Sequence, residues 1–83
     1  MTGSLRFETL VSVPRWTSEM NIAAAEAGIE VAPDAGFTDE PTTVAMVLDA
    51  DSPDGARRRV RDTLDSCDVR VGRADFRGPT RRP

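Results

Sequence analysis

From Leu5 to Val13 the chain alternates with a period of two. Leu5, Phe7, Thr9, Val11 and Val13 fall on one side, and Arg6, Glu8, Leu10 and Ser12 on the other. β-Branched and aromatic residues at that period predict a half-buried strand over residues 4–13, starting at Ser4 and closed by Pro14. The period then changes. Met20, Ala23, Ala24 and Ala27 recur at i, i+3, i+4 and i+7, one thin apolar face of a helix that begins near Glu19. Thr17 or Ser18 is its cap, and Gly28 supplies the left-handed stop. Ile29, Val31 and Ala32 suggest a short strand, followed by the turn chemistry of Pro33-Asp34-Ala35-Gly36. Phe37 either continues that strand or packs over the turn.

Thr42–Asp49 gives the clearest strand. Thr42, Val44, Met46 and Leu48 form one face, and apolar Ala45 and Val47 on the other suit a central strand. Ser52-Pro53-Asp54 starts a second helix, with a capping hydroxyl, proline at the first helical position and an acid in the first turn. Ala56, Val60, Leu64 and Cys67 make its apolar stripe. Arg58 and Asp62 stand four apart, as do Arg61 and Asp65, so these charges are expected to pair. Val69, Val71, Ala74 and Phe76 suggest a last strand whose phase slips at Gly72, the mark of a bulge. Residues 78–83, rich in Arg and Pro, have nothing to bury and are expected to be disordered.

The element order is strand, helix, strand, strand, helix, strand. It resembles the α+β ferredoxin-like βαββαβ sandwich, a four-stranded antiparallel sheet with two helices on one face. Residues 1–77 would form that single domain, with the first and third strands in the middle. The resemblance rests on element order, and this architecture serves many unrelated activities.

Composition then removes chemistries. The 83 residues include no His, Lys, Tyr or Gln, and all 11 basic residues are Arg. Without His and with one Cys, neither a Cys/His zinc site nor a His-based catalytic triad can be assembled in one chain. Without Lys there is no Schiff-base nucleophile and no phosphate-loop lysine. No cofactor is expected. One cysteine gives no intramolecular disulfide, and the start of the chain reads as no signal peptide. A soluble, cytoplasmic protein is the expectation, away from membranes. Charge is uneven: residues 1–50 carry two Arg and eight acids, residues 51–83 nine Arg and six acids. A basic second half raises binding of an anion, but interleaved Asp residues and a net charge of −3 argue against nucleic acid.

Candidate binding residues follow. Arg15-Trp16, between the first strand and helix, could stack on a planar ligand or anchor a partner; the plainer reading has Trp16 stapled to Met20 in the core. Asn21 on the first helix and Arg73 near the last strand could orient a ligand. Asp49, Asp51 and Asp54 lack the spacing of a calcium loop and are read as solvating and helix-capping acids, so no metal is expected. Cys67 is read as a core residue at a helix end. Leu10, Ala45 and Val47 point to the sheet face away from the helices, and an apolar patch there predicts a homodimer, face-to-face or edge-to-edge.

Two functions fit. The first is a non-enzymatic regulatory or adaptor module that self-associates through its sheet and binds a small ligand or a protein partner. It resembles ACT-like regulatory domains and small scaffold subunits in architecture. The second is a cofactor-independent enzyme resembling dimeric α+β-barrel monooxygenases and cyclases, with a pocket between helices and sheet. Trp16, Asn21, Asp49 and Arg73 would then position substrate and move a proton.

Overall fold

The computed structural model describes residues 5–82. Strand β1 spans Leu5–Val13, helix α1 Ser18–Glu26, strand β2 Glu30–Val31, strand β3 Thr42–Ala50, helix α2 Pro53–Asp65 and strand β4 Phe76–Arg81. A single 3-10 turn, Arg73–Asp75, leads into β4. The four strands form one antiparallel sheet in the order β2-β3-β1-β4, which puts β1 and β3 in the middle. The two central strands pair along their whole lengths, from Leu5 opposite Ala50 to Val13 opposite Thr42. The expected start at Ser4 lies outside the described residues.

Alternation decides which face is covered. Phe7, Val11 and Val13 on β1 and Val44, Met46 and Leu48 on β3 are buried, and their neighbours along each strand are not. They meet Met20 and Ala24 of α1 and Ala56, Val60 and Leu64 of α2 in one continuous core. Each helix begins as its sequence dictates. The Thr17 hydroxyl accepts the Met20 N–H at 3.3 Å, and the Ser52 hydroxyl accepts the Gly55 N–H at 3.0 Å, each satisfying a donor that the first helical turn leaves open. Gly28, at φ 76°, turns the chain out of α1 and into β2. Arg59 closes the far side of that turn, donating to the carbonyls of Ala27 and Asp49. A guanidinium at the carbonyl end of α1 is also favoured by the helix dipole.

The last strand corrects the sequence expectation. Val69 and Val71 are buried, but they anchor a loop and are not in a strand. Gly72 caps the 3-10 turn, and its N–H donates to Asp75 Oδ2 at 2.7 Å. The pairing strand is Phe76–Arg81, and Arg82 extends it by donating its N–H to the Arg6 carbonyl at 2.8 Å. The expected disorder of 78–83 is thus replaced by strand at 78–81; Pro83 lies outside the described residues. The physical reason is pairing with β1, which local composition does not reveal.

The irregularity expected at Gly72 occurs instead at Gly78-Pro79. Glu8 pairs with Thr80 and Leu10 with Arg77, so β4 carries one residue more than β1 between them. Gly78 sits there at φ 91°, where an added Cβ would lie 2.8 Å from the Thr80 nitrogen. Only glycine fits that position. The slip also explains the one polar residue in the core. Thr9 is 1% exposed, and its hydroxyl donates to the Arg77 carbonyl at 3.2 Å beside the bulge.

Candidate functional site

The residues singled out in the sequence go to four separate places. Trp16 is fully buried. Its backbone N–H and carbonyl each bond Thr38 at 2.8 Å, which pins the 32–41 segment against the strand end. With Trp16 and Met20 both in the buried core, the indole ring is not open as a stacking shelf beside Arg15. The indole Nε1 has no hydrogen-bond partner. Arg15 turns the other way and donates to the Cys67 carbonyl at 3.5 Å, a cation at the carbonyl end of α2. Cys67 itself is half-buried and unpaired.

Asn21 lies with Ala25, Gly28, Ile29, Glu30 and Val31 around a wide, open hollow beside β2. Asp49, Asp51 and Asp54 do not converge. Asp49 faces Arg6 at 3.3 Å and Asp54 faces Arg57 at 2.7 Å. Among the described residues no three His, Cys, Asp or Glu side chains come together as a metal-binding group. The layer between helices and sheet, where the enzyme reading needs a pocket, is filled by Phe7, Trp16, Met20, Met46, Leu48 and Leu64.

The third place is the uncovered side of the sheet. Leu10, 37% exposed, lies opposite Ala45 on β3 and Arg77 on β4. Directly opposed residues share a face, so the pairing puts all three side chains on that side. Val47 lies one step along, between Glu8 on β1 and Glu30 on β2. The apolar centre is small and its rim is polar. At one end Arg6 bonds Glu30 at 2.6 Å and reaches Asp49 at 3.3 Å; at the other the hydroxyls of Ser12 and Thr43 stand 3.5 Å apart. The hydrogen bond and charge of Glu30, and less so Asp49, hold the Arg6 proton more tightly than usual. Glu8 and Arg77 carry opposite charges on this rim, and neither has an ion-pair partner among the described residues.

The fourth place belongs to Arg73. The loop after α2 runs back along the helix and delivers Arg73 to the stripe of Asp54, Arg57, Arg58 and Arg61. The expected pairs Arg58–Asp62 and Arg61–Asp65 do not form; the only ion pair within α2 is Arg57–Asp54. Order along the helix accounts for this. An acid preceding its base is the better arrangement, which Asp54–Arg57 has and the other two lack. Arg58 and Arg61, expected to be neutralised by Asp62 and Asp65, therefore have no ion-pair partner among the described residues, and their base-before-acid order is the signal of it in the sequence.

Among the described residues no helix is long and apolar enough to cross a membrane. Compared with known proteins, the chain matches no family model, no curated protein and no solved structure.

Proposed function

We propose that this protein is a small non-catalytic binding module that pairs with a second copy of itself through the uncovered face of its sheet. The observation that carries the reading is the apolar centre of Leu10, Ala45 and Val47 inside a rim of charged and hydroxyl groups. An apolar middle with a polar rim is the anatomy of a protein interface. The rim is also self-complementary. A two-fold axis that sets Glu8 against the partner's Arg77 sets Arg77 against the partner's Glu8, and it passes close to Leu10, so the two Leu10 side chains meet between the two ion pairs. In this arrangement the surfaces left over, with Asn21 on one and Arg73 on another, remain free to receive a ligand or a protein partner.

The fold behind the proposal is ferredoxin-like. The element order and the strand order β2-β3-β1-β4, with both helices against one core, support that assignment. A cytoplasmic setting suits a chain whose one cysteine is unpaired.

Sedimentation equilibrium at micromolar protein tests the pairing. The expected mass is that of two chains, and Leu10→Arg should reduce it to one. Glu8→Arg and Arg77→Glu should each weaken the dimer, and the double variant should restore it. A one-chain mass for the unaltered protein, or a dimer indifferent to Leu10→Arg, overturns the reading.

A further inference from the structure

The hollow beside α2 has a composition that a solvated helix does not need. Arg57, Arg58, Arg61 and Arg73 bound a space of about 270 Å³, and Asp54 is the one carboxylate on its wall. Asp54 is already bonded to Arg57 at 2.7 Å. The other acid within reach of Arg73 along the chain, Asp75, has one carboxylate oxygen bonded to the Gly72 N–H at 2.7 Å. Arg58, Arg61 and Arg73 therefore line the hollow with no carboxylate within ion-pair distance among the described residues. Like charges gathered in one concavity repel, so the arrangement gains from an anion that neutralises them.

Arg57 is the least exposed of the four, its side chain 19% exposed and its Nη1 held by Asp54 at 2.7 Å, so it forms a fixed part of the wall. Arg59, within the same run of arginines, is absent from the cluster because it is committed to the Ala27 and Asp49 carbonyls. The sequence run Arg57-Arg58-Arg59 is thus divided between one structural side chain and two that face the hollow.

We infer that this hollow is a binding site for the diphosphate group of a small molecule. Guanidinium forks match phosphate oxygens in pairs and stay charged at all physiological pH values. A carboxylate would be satisfied by one fork. Four arginines around a space several times the volume of one water call for a ligand with more oxygens and more charge. The site is remote from the uncovered sheet face and does not depend on dimerisation.

Calorimetric titration of the whole chain with inorganic pyrophosphate, and separately with ADP, tests the assignment at low and moderate salt. Saturable binding of one pyrophosphate per chain is expected, at least about tenfold tighter than orthophosphate. ADP binding as tightly as pyrophosphate, or tighter, identifies a nucleotide as the source of the diphosphate; weaker ADP binding identifies free pyrophosphate. Arg61→Ala and Arg73→Ala should each weaken pyrophosphate about tenfold, since each removes a charged donor pair. Asp54→Asn should tighten it. Arg81→Ala, an exposed arginine on β4, should leave it unchanged. Three results overturn the site: no saturable binding at millimolar pyrophosphate; an equal loss from Arg81→Ala, which would mean general charge attraction; or binding of a single-stranded oligonucleotide that Arg61→Ala does not affect while pyrophosphate fails to bind. Circular dichroism of each variant separates loss of the site from loss of the fold.

Discussion

The two faces of one sheet follow opposite rules here, although a single alternation writes both. Toward the helices, every second residue of β1 and β3 from Phe7 and Val44 onward is buried, and the sole polar one, Thr9, finds a carbonyl at the β4 bulge. Away from the helices, the intervening positions hold Arg6, Glu8, Ser12, Thr43 and Asp49, with Leu10, Ala45 and Val47 among them. On the first face an apolar residue is required and says nothing about function. On the second it is optional, so an apolar residue there is informative. The difference teaches where to look: function is read from departures on the face that has no packing rule to obey.

That contrast can be broken by mutation. The greatest loss should come from the covered face, where Phe7→Ala leaves a cavity and should cost about 3–5 kcal/mol in denaturant unfolding. If Phe7→Ala costs no more than a surface change, the covered face is not the core. Next, Gly78→Ala forces a side chain into a left-handed position against the Thr80 backbone, and should cost more than about 1 kcal/mol. A neutral result would mean that β4 is not held in its bulged register. Removing the α2 cap with Ser52→Ala should cost about 1 kcal/mol, because the Gly55 N–H loses its acceptor. Smallest of all, Leu10→Arg should change the stability of the isolated chain by no more than about 0.5 kcal/mol while abolishing the dimer. A large loss of chain stability from Leu10→Arg would erase the distinction between the two faces.

Much of this architecture was legible in the sequence. β1 and β3 announce themselves because a half-buried strand must alternate, and both helices carry a capping hydroxyl ahead of their first turn. β4 was not legible. Only Phe76 in it is buried, and residues 78–81, expected to be disordered, pair as an edge strand through a bulge at Gly78-Pro79. The alternation of Val69 and Val71 imitated a strand because a loop that crosses a core must also bury side chains. For the candidate sites the limits were different. Leu10 and Val47 could be placed on the open face from the period alone. The meeting of Arg73 with Arg57, Arg58 and Arg61 could not, since it depends on the path the chain takes back along α2. Burial of Trp16 was the plainer of its two readings, but its cover was not legible: two backbone bonds to Thr38 fold a distant segment over it.

The two borders of the sheet have a consequence for crowded solutions. On one side β2 offers two residues, Glu30 and Val31, too short a template for a newcomer. On the other, β4 bends at Gly78, lacks an N–H at Pro79, and carries Arg77 and Arg81. A flat, unguarded border would let chain after chain add in register and grow into a cross-β fibre. Here both borders oppose that addition, so the apolar patch on the broad side is not joined by an open edge at which a further strand could add.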